Sequence, residues 1–454
     1  VSLRRASTWR FTAGGIALLL FALALVVGWS AGSLDRALDA FSDDGSDAGA
    51  PVARPANAKA WAIHRLAAGM VVQGVRPQGA SPVPEKELTW GALPGAQAAW
   101  LADYRYLWRA SDPRDAPPAP DELHAWLGSQ VATYEALVDL LIRDEMPDWG
   151  SDPASRIVSE VPVGAGILQR LMLGRALDNA ARGDRAEAER TLLAAWRLEE
   201  GMRSGSEAAA WSVDFNSQSV SILRHVRPSD ALAWIARLDA LHPRRDLDGH
   251  LRWAARRVVV TAAESEARVP RWLPRVVTAH LIALVDAPVR LRATRSIAAL
   301  ADVSSELRRL PPCGDPALVL HAPVGAGVDS ILEDATQRPR PPGLEYDFAR
   351  LRQLEVDIAL TRRVLALDAG IDEPPRPEGA CADPPVTQAL GADGQWTVGW
   401  GDVTLPAGSA LRDVVDALMG ESPPPPRVPP SFTFRPRVAA EAPVLASAPR
   451  AGPP

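Results

Sequence analysis

The chain is 454 residues long, 47% hydrophobic and 23% charged, with a net charge of −6 and a pI near 5.8. That length allows two or three domains and a sizeable core. That charge excludes a general basic field of the kind that attracts nucleic acid. The basic residues are almost all arginine, with lysine only at Lys59 and Lys86. With so much Ala, Gly and Pro beside it, the arginine excess reads as the coding bias of a GC-rich bacterial genome and not as a binding surface.

The first predicted element is the uncharged stretch from Phe11 to Leu34. A helix of about 20 apolar residues crosses the hydrocarbon core of a bilayer. Arg4, Arg5 and Arg10 precede it, and Asp35, Asp39, Asp43, Asp44 and Asp47 follow it. Positive charge stays on the cytoplasmic side. The expected topology is therefore a cytoplasmic 1–10, a transmembrane signal anchor over 11–34, and the bulk of the chain outside. Trp9 and Trp29 suit the two interfaces. A cleaved signal peptide is the rival reading, with Gly28, Ser30 and Gly32 as small residues near a cleavage site. The lipid bilayer is thus the first expected partner, through residues 11–34, in a bacterial inner membrane.

Residues 35–58 are polar, small and rich in Gly and Pro, and read as a tether. A helical domain is expected over 59–385. Its helices are placed at Trp61 to Val72, Gln97 to Arg109 and Asp121 to Ile142. In the last of these Leu123, Trp126, Leu127, Val131, Tyr134, Leu137, Val138, Leu141 and Ile142 recur at the spacing of one helix face. Asp121 is its expected N-cap.

Ile167 to Ala181 and Arg185 to Met202 form the next pair. Gly183 suits a left-handed helix end and Asp184 the following N-cap. Gly183, Asp184, Ala188, Ala195 and Leu198 follow the frame of the tetratricopeptide repeat, and residues 167–202 resemble one degenerate copy of that hairpin. The resemblance implies a pair of closely packed antiparallel helices and a protein-binding role. Asn179, Trp196 and Glu200 depart from its pattern, and no second copy recurs at the 34-residue period.

Further helices are expected from Ser229, as N-cap, to Leu241, then over Leu247 to Glu266, Trp272 to Val285 and Val289 to Leu310. The last long one runs from Asp347 to Ala369, stopped by Gly370. Pro162-Val163-Gly164-Ala165-Gly166 is echoed by Pro323-Val324-Gly325-Ala326-Gly327, which chance explains in so biased a composition. The two cysteines, Cys313 and Cys381, lie in proline-rich loops and are a candidate disulfide if the domain is outside the cytoplasm. Such a bridge would stabilise by about 4 kcal/mol in the chain-entropy model.

Residues 386–420 read as a small appendix, with a β-hairpin turning near Gly399 to Asp402 and a short helix over Ser409 to Met419. Ser422 to Pro454 holds 11 prolines, so residues 421–454 read as a disordered, proline-rich tail.

No phosphate-binding loop, dinucleotide fingerprint, zinc-protease motif, calcium loop or nucleophile elbow occurs. His242 and His250 flank Asp246 and Asp248, a set better read as a solvated loop than as a metal site. Glu264, Glu266 and His280 are poor candidates for acid–base work. Arg252, Arg256, Arg257, Arg268, Arg271 and Arg275 form the densest basic run and read as a charged helix face. No catalytic, cofactor or metal residue is assigned.

The expected fold class is all-α: stacked helical hairpins after one N-terminal transmembrane helix, with a small C-terminal segment containing a β-hairpin. The expected function is a membrane-anchored, extracytoplasmic protein-interaction module with a protein partner, no cofactor and no nucleic acid. The alternative is an envelope hydrolase whose site is assembled from scattered acids and histidines.

Overall fold

Most of the described helix ends are closed by local caps, and one, at Ile142, is closed by a side chain from far away in sequence. In the computed structural model the residues described are 32, 36, 55–70, 121–143, 145–150, 161–203, 209–249, 251–252, 255, 293–295, 297–310, 344–372, 386–400, 405–406, 427–428 and 431–437. They are mostly helical, with a small antiparallel sheet. They divide into two compact units.

The larger unit contains helices α1 (Ala58–Gly69), α2 (Asp121–Ile142), α3 (Val161–Ala181), α4 (Arg185–Arg203), α5 (Ala209–Val226) and α6 (Ala231–Asp239). It also holds helix α7 (Leu344–Asp368) from Ala349 on, and all the strands. Asn57 opens α1 as its N-cap, accepting from Ala60 N at 2.9 Å, and its amide donates to Met146 O at 2.8 Å. Buried Lys59 donates to the carbonyls of Leu141, Arg143 and Glu145. These are the orphan acceptors at and just past the end of α2, so one cation satisfies groups that the helix itself leaves open.

Leu127, Tyr134, Leu137, Val138 and Leu141 of α2 are buried, as the stripe predicts, but Val131 is 55% exposed. It stands on the flank of the buried face. Leu123 and Trp126 have no described side chain.

The turn between α3 and α4 is the one the sequence indicates. Gly183 has φ +84°, Asp184 N donates to Asn179 O at 2.9 Å, and Asp184 Oδ1 accepts from Glu187 N at 3.3 Å. The left-handed residue costs a glycine little. Helix α3 begins earlier than expected, so the Pro162-to-Gly166 run lies inside it. Pro162 sits in its first turn, where a missing N–H matters least. Small residues let α4 approach its neighbours closely. A Cβ on Gly201 would fall 2.4 Å from Pro147 Cγ and 2.7 Å from Pro147 O.

Helix α5 was not expected. Its sequence, rich in Ser and β-branched residues, has weak intrinsic helicity, yet it packs on both α3 and α4. The N-cap of α6 is Asp230, which accepts from Ala233 N at 3.0 Å, and not Ser229. Ser229 instead donates through N and Oγ to Glu189 Oε2, at 3.1 and 2.8 Å. At the end of α7, Gly370 has φ +71° and Ile371 N donates to Ala366 O at 2.8 Å, the Schellman closure.

The sheet corrects two expectations. Strands β1 (Val386–Leu390) and β2 (Trp396–Trp400) form the hairpin, so its turn is Gly391 to Gln395 and not Gly399 to Asp402. Asp393-Gly394 is the stronger turn signal: Gly394 has φ +76° and Asp393 Oδ1 accepts from Gln395 N at 3.1 Å. A two-residue pair, β3 (Leu405–Pro406) with β4 (Arg427–Val428), follows. The second correction concerns the tail. Ser431–Phe434 is strand β5, antiparallel to β2, in the order β1-β2-β5. Residues 421–454 are therefore not disordered throughout. Val398, Trp400, Phe432 and Phe434 bury against Val356, Leu360 and Val364 of α7, so the sheet shares a core with the last helix.

In the smaller unit, described over parts of 247–310, Leu247, Leu251, Ile297, Leu300 and Leu307 are buried. Asp248 pairs there with Arg252 Nε at 3.0 Å and accepts from Ser304 Oγ.

Among the described residues no helix is long and apolar enough to cross a membrane. The predicted span over 11–34, apart from Gly32, lies outside the described residues, as do nearly all of the tether, the 97–109 and 272–285 helices, the 323–327 echo and the 409–419 helix.

Candidate functional site

Two buried polar constellations stand out in the larger unit, both built on α5. Its residues Gln218, Ser219, Ser221, Arg224 and His225 are all buried, an unusual run for one helix.

The first lies where α3, α4 and α5 meet. Gln169 Nε2 of α3 donates to Glu199 Oε2 of α4 at 3.1 Å and to Ser219 Oγ of α5 at 2.8 Å. Glu199 is 1% exposed, and its Oε1 has no hydrogen-bond partner. Burial pushes its carboxyl from the ordinary 4.5 up to about 8, against the Arg203 cation and the Ser219 hydrogen bond, and with help from Glu200 and Asp246. Near neutral pH it is a carboxylic acid and not a carboxylate. Asp246 is also raised, chiefly by burial, with Arg203, His242 and Arg245 opposing. Two acids that keep their protons longer than usual thus share one end of α4 with Arg203. Displaced acidities of this kind cluster at functional sites, and also in purely structural networks.

The second lies where α5, α7 and β5 meet. Arg224 Nη2 donates to Asp357 Oδ1 at 3.1 Å, both side chains buried, and its guanidinium lies 5.3 Å from the centre of the Phe432 ring. Arg227 has φ +48°, a left-handed conformation uncommon for a side chain of this size. That backbone aims its guanidinium at Asp368 Oδ1, 3.1 Å away, and at Arg435 O, 2.8 Å away, with the Phe434 ring centre at 5.6 Å. Asp368, at the end of α7, also accepts from Arg437 N at 3.1 Å, and its Oδ2 lies 3.1 Å from Arg437 Nε. Arg437 Nη2 reaches Val226 O at 3.2 Å. His225 meets Phe432 edge-on at 5.2 Å, and Phe432 stacks on Phe434. The result is a seam that holds the chain's own 431–437 segment by three means: backbone pairing to β2, two buried aromatic rings and the ion pair of Asp368 with Arg437.

No protein-family model matches the chain, and no curated protein or solved structure matches it. The site must be read from its own residues.

Among the residues that the sequence singles out, Cys313 and Cys381 lie outside the described residues. So do His250, Glu264, Glu266, His280, Arg256, Arg257, Arg268, Arg271 and Arg275. Asp246 and Asp248 fall in different units. Arg252 serves in the Asp248 ion pair. His124 lies 3.7 Å from Asp178, which Arg175 and Arg182 also hold, at 3.2 and 2.6 Å. Among the described residues no group of three or more His, Cys, Asp or Glu is placed to hold a metal ion.

Sequence reasoning missed Gln169, Glu199, Ser219, Arg224, Arg227, Asp368 and Arg437. One signal was present for Glu199. It falls on the same helical face as Ala195 and Met202, where a charged residue is out of place. For Arg437 and Asp368, which are far apart in sequence, no local signal exists.

Proposed function

We propose that the chain is a membrane-anchored protein-interaction scaffold of a bacterial envelope, tethered through 11–34 and presenting its helical body outside the cytoplasm. The observation that carries this reading is the stack of helices α3, α4 and α5, a body of paired helices whose first turn has the repeat-like Gly183-Asp184 geometry. The hairpin of α3 and α4, with its repeat-like turn, supports the same reading. The test is in-cell crosslinking of the full-length chain, with captured species identified by mass spectrometry. A reproducible envelope partner, lost when the helical body is removed, supports the scaffold. No protein partner at native expression rejects it. A reporter fused to the C-terminus checks the topology, and cytoplasmic activity of that reporter rejects the anchor.

A second reading, an envelope hydrolase, is favoured by the raised carboxyl pKa values of Glu199 and Asp246. A general acid works best with a pKa near the working pH. Screening the protein against ester, amide and glycoside substrates, with Glu199→Gln as control, tests it. Activity that survives Glu199→Gln unchanged rejects Glu199 as the acid.

A further inference from the structure

Helices α4 and α5 are tied at two places of opposite character. At one end Glu189 of α4 accepts from Ser229 N and Oγ, just past α5, at 3.1 and 2.8 Å, and this contact lies at the surface. At the other end Glu199 is buried, and Gln169 Nε2 of α3 bonds both Glu199 Oε2 and Ser219 Oγ of α5, at 3.1 and 2.8 Å. Glu199 Oε1 has no hydrogen-bond partner. A carboxyl group placed among an amide and a hydroxyl is tolerated as the acid. As the carboxylate it loses its hydration there and gains little in exchange.

The elements around Glu199 are not equally able to give way. Helix α4 is fixed on α2, where Arg190 bonds Glu135 and Asp139 at 2.7 and 2.6 Å. Gly201 leaves no room for a Cβ beside Pro147. Helix α3 is bound to α4 through the tight Gly183-Asp184 turn. Helix α5 has weak intrinsic helicity. Arg224, Arg227 and Val220 O of this region are held by Asp357, Asp368 and Thr361 Oγ1, and all three lie after Ser219 in the chain.

We propose that Glu199 is a proton-operated latch: the 199–219 end of the α4–α5 pair is closed while Glu199 holds its proton and opens with release of that proton to solvent, and the Glu189–Ser229 end stays closed. This goes beyond the scaffold reading and does not depend on it.

The groups facing Glu199 fix the sign. Burial is the main influence and holds the carboxyl up to about 8. Arg203 of α4 and the Ser219 hydrogen bond of α5 oppose it, while Glu200 of α4 and Asp246, after α6, reinforce it. Asp246 is itself raised chiefly by burial, against Arg203, His242 and Arg245. From α3 the facing group is the Gln169 amide, which does not titrate. In the open state Glu199 returns to the ordinary 4.5. Between those two values opening releases one proton, so the open fraction rises about tenfold per pH unit, and above them it levels off.

Native-state hydrogen exchange of the full-length chain tests this, read by mass spectrometry from about pH 5 to about pH 9 and corrected for the intrinsic rate. Amides of 209–219 should be less protected than those of 134–141 in α2, and low urea should change them less, the mark of a local opening. Their protection should fall by about tenfold per pH unit and level off near pH 8. Glu199→Gln should remove the slope and keep these amides protected throughout. Ser219→Ala should move the levelling-off to higher pH, and Asp246→Asn to lower pH.

Protection at 209–219 without a slope, or a slope that Glu199→Gln leaves in place, overturns the latch. So does exchange at 209–219 that matches α2 in both protection and urea dependence, because Glu199 then acts only through global unfolding. Should Glu199→Gln fail to fold, the other two variants decide, and a levelling-off that neither of them moves overturns the assignment to Glu199.

Discussion

Glu199 and Asp368 are both buried carboxyl groups on helices of the same unit, and they meet burial in opposite ways. Glu199 is surrounded by an amide and a hydroxyl, and it avoids the cost of a buried charge by keeping its proton up to about pH 8. Asp368 has two guanidinium groups and a main-chain N–H, and meets burial with opposite charge and donated hydrogen bonds. The first arrangement seals a junction of three helices. The second joins pieces that the chain keeps far apart: the ends of α5 and α7, and the C-terminal segment. An ion pair of this kind is directional, so it can select a partner. A neutral acid among amides chiefly sets how helices register.

Substitutions separate the two. Asp368→Ala strands Arg227 and Arg437 without their shared carboxylate, and should cost about 3–5 kcal/mol in urea unfolding. It should also free the C-terminal segment, seen as faster proteolysis after β2. A loss under 1 kcal/mol would mean that the clasp is only superficial.

Glu199 should reveal itself through pH. Its folded pKa lies above its unfolded value of about 4.5, so the folded state holds a proton that the unfolded state releases. Its contribution is fully present below pH 4.5 and is lost as pH rises toward 8. Over that window stability should fall by roughly 4–5 kcal/mol, and Glu199→Gln should remove the fall while changing little near pH 4.5. A wild-type profile that Glu199→Gln leaves unchanged would show that the acid is not the group responsible.

Gly201→Ala tests whether the two regions are independent. The added methyl meets Pro147 at sub-contact distance and should cost about 2 kcal/mol by overpacking. The Asp368 ion pairs should be untouched, so the rate of proteolysis after β2 should not change. The smallest effect is expected for Asp230→Ala, which removes the N-cap of α6 and touches neither carboxyl. About 1 kcal/mol in thermal or urea unfolding is expected, with the pH profile unaltered.

Much of the helical skeleton was legible in the sequence, because its signals are local. The stripe of α2, the Gly183-Asp184 turn and the Gly370 stop each depend on a few adjacent residues, and each stands where the pattern puts it. Two local signals compete at two places: Asp393-Gly394 turns the hairpin in place of Gly399, and Asp230 caps α6 in place of Ser229. In the second case the deciding partner was Glu189, on a different helix, which takes both donors of Ser229.

The sequence by itself determined the helical class, the apolar stripes and the turn chemistry, since backbone sterics and side-chain periodicity act over a few residues. Only the tertiary structure decided that α5 is a helix at all. It alone raised Glu199, recruited the tail as a strand and set Arg437 on Asp368. Those outcomes depend on burial and on pairs of charges that meet only when the chain has closed. A one-dimensional pattern carries neither the solvent that a side chain loses nor the partner that replaces it.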